Sequence, residues 1–326
     1  MNQQIVNLRG IAILMVILGH SIIIYDSTFD LLSTNVAMPL FETLKHWISF
    51  AQMKLFISIS GFLLAYKCLN TGKLGAIGGD FIKGKALRLL VPYICVLLLY
   101  NDPIKYILGI PGYEAPASFI QDQLLGVNCA HLWYLPCLFL LMLVGYPLFS
   151  WAGRSPWRHA ALFAVFLAIN FFSGRLPEYY QLNTAGYYLI FFHLGYLVNW
   201  SRQIYATQLK AVKWHIAIPI IIAVIAIGYV VRMATSIGYE VYLSICVILL
   251  FYVAIPSFKV SFINEISKRS YGLYLFHSPL IYLTAHYCPD INPWLMLLVN
   301  FVGFGGVAYM LTALLSKTKL KFIIGA

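Results

Sequence analysis

The chain has 326 residues, of which 61% are hydrophobic and only 10% charged, with a mean hydropathy of +0.81. Soluble domains carry about 25% charged residues, so this composition excludes an ordinary soluble globular protein and predicts an all-α, polytopic membrane helix bundle. The formal charge of +11 does not point to nucleic acid, because the lysines and arginines are scattered through short loops rather than gathered on one soluble face.

Apolar runs that reach or approach the length of a bilayer crossing fall at about 8–25, 47–66, 86–100, 132–150, 159–173, 185–200, 212–231, 241–255, 271–287 and 293–315. They predict about ten transmembrane helices in a single domain, 1–326. The first run starts almost at the N-terminus and is followed by no small-residue cleavage pattern, so it is expected to stay as a membrane helix. An even number of crossings puts both termini on one side. With the termini cytoplasmic, seventeen lysines and arginines are inner, and only Lys45, Lys105, Arg175 and Arg232 are outer. Lys54 is expected to snorkel to the outer interface. The longest insert, Asn101 to Ala130, faces outward in this scheme. It reads as non-helical, with Pro103, Pro111, Gly112 and Pro116 as breakers, and is either a lid or a mere connector. The six cysteines form no Cys-x-x-Cys pair and no metal-type spacing, and read as small hydrophobes.

Within this frame a few polar residues stand out. Arg9 opens the first run and His20 lies deep in it; eleven residues return to the same helix face roughly 16 Å further along. An ionisable group inside a spanning helix implies a polar path or a reaction, against the ordinary alternative of a structural histidine bonded to a neighbouring helix. Lys85 and Arg88 share a face where the third run begins, and suit either phosphate binding or anchoring to anionic lipid. His131, Trp133 and Tyr134 open the fourth run, and could be a sugar-binding edge or an interfacial aromatic belt. His277, in the ninth run, could line a channel or simply pack. His193 reads as structural, while His46, His159, His215 and His286 sit near helix ends, where solvated placement is the default.

Three stretches together carry a family resemblance. Arg9, ten residues and His20 within Leu-Arg-Gly-Ile-Ala-Ile-Leu resembles the first-helix signature of the membrane acyltransferase-3 family. Leu55 to Leu64, with Ser60-Gly61-Phe62, resembles its second helix, and Ser270 to Pro279, with Tyr274-Leu275-Phe276-His277-Ser278-Pro279, its late segment. The resemblance implies a membrane O-acyltransferase of the bacterial inner membrane, an O-acetyltransferase above all, using acetyl-CoA as acyl donor and no metal. Its acceptor would be a hydroxyl of an envelope glycan or lipid-linked precursor, and membrane lipids and glycan-assembly proteins its partners. His20 would act as general base or carry the acyl group, with Arg9 as the second catalytic residue. Arg9, Lys85, Arg88 and His277 would bind the coenzyme; His131, Trp133, Tyr134 and Gln52 would bind the acceptor.

The chain departs from the family pattern at three places. Val6 and Asn7 stand where many relatives carry an acid, so an acidic partner for the Arg9 motif must come from elsewhere. Lys85 replaces an arginine, and Gln52-Met53-Lys54 replaces a His-Met-Pro. The rival reading is a transporter or flippase for a lipid-linked sugar, in which His20 and Arg88 line a path; a scaffold in a glycan-assembly complex is a third.

Overall fold

Helix starts in this chain are written into short polar residues. Asn2 accepts a hydrogen bond from the Gln4 N–H, Ser155 from Arg158, Thr235 from Gly238, and Asn292 from both Trp294 and Leu295, so four helices begin on a side-chain cap. The computed structural model describes residues 2–25, 38–70, 79–204 and 214–325, and contains no strand among them. The helices are α1 (Gln3–Ser21), α2 (Pro39–Ser49), α3 (Gln52–Asn70), α4 (Gly79–Val96), α5 (Asp102–Ile107), α6 (Pro116–Leu124), α7 (Tyr134–Ala152), α8 (Pro156–Phe172), α9 (Leu182–Ile204), α10 (Trp214–Ala234), α11 (Ser236–Ala254), α12 (Ser261–Tyr287), α13 (Pro293–Leu298) and α14 (Gly305–Leu315). Lys73, Lys210 and Lys213, three of the basic residues expected on the inner side, and the side chain of His215 lie outside the described residues.

Each of the ten apolar runs, over its described residues, falls mainly on helix. Five stretches are long and apolar enough to cross a membrane among the described residues: Gln3–Ser21, Pro39–Leu69, Ala130–Ala152, Ser236–Ala254 and Pro293–Leu315. In three of the other helices charge or length intervenes. Lys83, Lys85 and Arg88 interrupt α4, Glu265, Lys268 and Arg269 open α12, and α8 has 17 residues. The structure therefore shows a helical membrane protein with five such stretches, while ten crossings and the side of the termini rest on the sequence reading.

The insert after the third run is not the coil that its prolines suggested. Pro103 and Pro116 occupy the first turns of α5 and α6, where a missing N–H costs nothing, so they start helices rather than break them. A π-helical turn, Leu97–Asn101, joins α4 to α5 directly before Pro103, and a second one, Val299–Phe304, joins α13 to α14. Such turns rotate everything beyond them about the helix axis.

The core is α1, α3, α9 and α12, with α4, α7, α8 and α14 around them and the α10–α11 pair at the side. Leu8, Ile13 and Val16 of α1, Leu55 and Ile57 of α3, Phe191 and Tyr196 of α9, and Leu275 of α12 fill it. The closest approach is between α3 and α9, where Gly61 faces the Phe192 carbonyl and Gly195 faces the Ser58 carbonyl; a Cβ at either glycine would overlap that oxygen. By contrast, Val253, Leu99, Leu250 and Leu314 point outward, as lipid-facing residues do.

Two sequence expectations are corrected. Lys54 does not snorkel: it is 3% exposed, and its ammonium meets the Glu240 carboxylate at 2.9 Å, which a helix neighbour makes affordable inside the bundle. His159 is not solvated either. It is buried against His193, 3.1 Å between Nδ1 and Nε2, and its Nε2 donates to the Gly153 carbonyl at 3.0 Å.

Candidate functional site

His20 sits in the last turn of α1, and its partners fix which ring nitrogen carries the proton. Nδ1 lies 2.9 Å from the Val16 carbonyl, which can only accept, so Nδ1 bears the hydrogen. His277 is fixed in the same way, because its Nδ1 faces the carbonyls of Leu273 (2.9 Å) and Tyr274 (3.0 Å). The bare Nε2 of His277 then lies 3.3 Å from His20 Nδ1 and shares its hydrogen with Val16. In the neutral ring, His20 Nε2 is left as a lone pair with no hydrogen-bond partner among the described residues. A base held by a carbonyl and a second imidazole, with its free nitrogen facing open space, is an arrangement for taking a proton or attacking a carbonyl carbon.

The end of α1 is itself held. Asn300, in the second π-helical turn, is 1% exposed; its amide donates to the Ser21 carbonyl at 3.2 Å and its Oδ1 accepts from Thr284 at 2.6 Å. Gln52 lies against the same turn, where a Cβ on Gly19 would stand 2.5 Å from its Oε1, and that oxygen is buried without a partner among the described residues.

The open space beside His20 is a cavity of about 440 Å³, within the range of small-ligand sites. His20, Lys105, Tyr113, His131, Trp133 and Tyr282 are among its walls. His131 Nε2 donates to the Leu275 carbonyl at 3.1 Å, which leaves Nδ1 as a buried acceptor with no partner among the described residues. Trp133 stacks on Tyr188 with ring centres 5.0 Å apart.

A second cavity, of about 250 Å³, opens around Arg9, at the other end of α1. Arg9, Lys67, Lys85 and Arg88 gather there with Ser60, Tyr134, Ser270, Tyr271 and Tyr274. Arg9 receives no acidic partner; its Nε donates to Ser267 Oγ at 3.0 Å, and neither Arg9, Lys85 nor Arg88 makes an ion pair among the described residues. Asn7, at one of the positions lacking an acid, instead donates to the carbonyls of Pro256 and Phe258, both at 2.9 Å. Nearby Lys268 and Arg269 differ in kind, since both bond to Glu265 at 2.6 Å and hold its carboxyl below the usual carboxylate range. The Arg88 backbone is pinned by the Tyr271 hydroxyl (2.7 Å) and by Gly325, whose φ of +65° lets the C-terminal turn close on the Arg88 carbonyl. Arg9, Lys85 and Arg88, which make no ion pair among the described residues, converge on one recess and form a site for a polyanion.

Between the cavities stand Tyr134 and Tyr274. Their rings meet edge to face, 5.3 Å between centres; Tyr134 shares a 3.2 Å hydrogen bond with Ser60, and the Tyr274 hydroxyl donates to the His131 carbonyl. The cavities have no lining residue in common. On α12 they are about one turn apart, roughly 6 Å, as Tyr274 belongs to one and Ser278 to the other.

A family model described as an acyltransferase domain matches residues 2–317, nearly the whole chain. The chain belongs to the acyltransferase-3 family. No curated protein and no solved structure gives a match. In this acyltransferase Arg9, Lys85 and Arg88, which the sequence reading grouped, line one cavity, and His131 and Trp133, which it also grouped, line the other together with His20. Three residues sit elsewhere than expected. Gln52 lies against Gly19 and lines neither cavity. Tyr134 faces the Arg9 cavity rather than the one beside His131, because the chain turns from a 3-10 to an α-helical path at that residue. His277 lies against His20 and away from the basic residues of the acyltransferase. Sequence reasoning missed Lys105, Tyr113, Tyr282 and Asn300, whose only advance signal was a lone lysine in an apolar outer segment.

Proposed function

We propose that this membrane acyltransferase is an O-acetyltransferase. Acetyl-CoA binds with its phosphates at Arg9, Lys85 and Arg88, and the acetyl group passes to a hydroxyl of an envelope glycan, or its lipid-linked precursor, held in the larger cavity. The observation that carries this reading is the free Nε2 of His20, which faces the larger cavity while the unpaired cations line the smaller one. Eleven residues of helix separate Arg9 from His20, roughly 16 Å, and an extended pantetheine arm is on the order of 15–20 Å long. The thioester carbon can thus meet His20 while the nucleotide stays at the cations.

In the direct route, His20 Nε2 takes the proton of the acceptor hydroxyl as its oxygen bonds to the thioester carbon. The C–S bond then breaks, and the same nitrogen returns the proton to the leaving thiolate. As positive charge builds on the ring, the Nδ1–H becomes a stronger donor to the Val16 carbonyl and His277 Nε2, which stabilises the imidazolium where it forms. In the alternative route Nε2 attacks the thioester carbon itself and holds the acetyl group until the hydroxyl displaces it.

The test is transfer of labelled acetyl from acetyl-CoA to envelope glycan in membranes bearing the native chain or His20→Ala at matched expression. Loss of label in the variant is expected. Undiminished label would overturn the role of His20, and no label with the native chain in the presence of its acceptor would overturn the acyl transfer itself. Acid quenching of the native reaction separates the routes: label that stays on the protein reports the acyl-histidine.

A further inference from the structure

The larger cavity contains a cation that acyl transfer as described does not use. Lys105 of α5 is 2% exposed and lies in the wall shared with His20 and His131. Its ammonium stands over the rings of Tyr113 and Tyr282, 4.6 and 4.8 Å from their centres, and donates one hydrogen bond, to the Tyr113 hydroxyl at 3.1 Å. An ammonium has three hydrogens to give, and burying one without a counter-ion is costly.

Neither of the two nearby acids makes an ion pair with it. Asp102, one turn earlier and also buried, attracts the ammonium through space, but it directs Oδ1 at the amides of Asn101 (2.9 Å) and Gln123 (3.0 Å) and leaves the ammonium's remaining hydrogens unfilled among the described residues. Asp122 is on the exposed rim, bonded to Asn128 at 3.4 Å, where water screens its charge. The ammonium itself is placed by a structural irregularity. The π-helical turn ahead of Pro103 rotates α5, and Tyr100 within it anchors the turn by donating to the Phe276 carbonyl at 3.1 Å. A rotated helix, an aromatic clamp and a desolvated cation with unfilled donors together form a preformed receptor for negative charge.

We infer that the acceptor of this enzyme carries an anionic group, a carboxylate or a phosphate, and that Lys105 receives it at the wall of the larger cavity. This rests on the reading of that cavity as the acceptor site. It narrows the acceptor to an acidic sugar or to a saccharide still bearing its phosphate, and sets the reacting hydroxyl by its distance from that anion. Trp133 and the two tyrosines would then face the sugar rings, for which aromatic surfaces with polar edges are suited.

Binding of glucuronate, glucose 1-phosphate and glucose to the purified, full-length protein in detergent, by thermal shift titration, tests it. At least one anion should bind about tenfold tighter than glucose, the effect of one charge-assisted hydrogen bond pair. Lys105→Met should erase that preference and Lys105→Arg should retain it. Glucuronate alone responding identifies a carboxylate, and glucose 1-phosphate alone a phosphate; both count in favour. Equal binding of glucose and the anions by the native chain refutes the inference whether or not Lys105→Met folds, as does a preference that survives in a folded Lys105→Met. In those cases the acceptor reading of the cavity stands. No binding of any of the three overturns that reading and the inference with it.

Discussion

The histidine pair gives the sharpest quantitative expectation. Replacing His277 by leucine removes the acceptor that shares the His20 Nδ1 hydrogen but leaves the stronger contact to the Val16 carbonyl, 2.9 Å against 3.3 Å. The tautomer of His20 should therefore survive, and only the stabilisation of the developing imidazolium is lost. Hydrogen bonds to charged groups contribute about 1.5–3 kcal/mol. At 3.3 Å, beyond the usual 2.7–3.2 Å, the low end applies, about 1.5 kcal/mol or roughly a tenfold fall in the rate of transfer. Removing His20 itself should cost about 10²–10⁴, the range for a general base. Single-turnover transfer of labelled acetyl measures both, and His277→Gln, whose side-chain oxygen can accept, should recover part of the loss. A His277→Leu rate as low as that of His20→Ala would show that His277 touches the reacting atoms. An unchanged rate would show that Val16 alone orients the base.

Further expectations follow from the same geometry. If acetyl-CoA binds as proposed, Arg88→Gln should raise its KM by about tenfold or more and leave single-turnover transfer at saturating donor nearly unchanged, because the change would remove a phosphate contact and nothing at His20. Asn300→Leu should lower kcat while leaving KM for acetyl-CoA in place, since it frees the Ser21 carbonyl beside His20 and does not reach the other cavity; steady-state kinetics with varied donor distinguishes this from a general loss of fold. Gly195→Ala should lower the melting temperature through about 1–3 kcal/mol of overpacking, because the added methyl meets the Ser58 backbone oxygen, whereas Gly84→Ala, with nothing within 4 Å, should not destabilise.

The helical membrane character was legible in the residues themselves, because apolar runs and their polar interruptions are local properties. So were Arg9 and His20, which lie on one helix at a spacing that any α-helix fixes. What the sequence did not disclose is contact across distance. His277 was visible as a histidine in an apolar run, but nothing in its neighbours says that it meets a ring 257 positions away. Lys54 was legible as a charge near a helix end, and its burial depends on Glu240, a residue of another helix. The π-helical turns were unreadable because they change the phase of α5 and α14 without altering the pattern of apolar residues, and so concealed both Lys105 and Asn300. Prolines misled in the insert after α4, since the same residue that ends one helix is a good first residue for the next.

The tyrosine layer between the two cavities bears on more than the passage of an acetyl group. A living membrane stores energy as a difference in proton concentration and voltage, and any continuous thread of water through a protein would discharge it. Tyr134 and Tyr274, a single helical turn thick, are what part the two cavities. If a thioester crosses them as the proposed transfer requires, the motion that admits it has to keep the gap plugged by the substrate itself, and the cargo would then also be the seal.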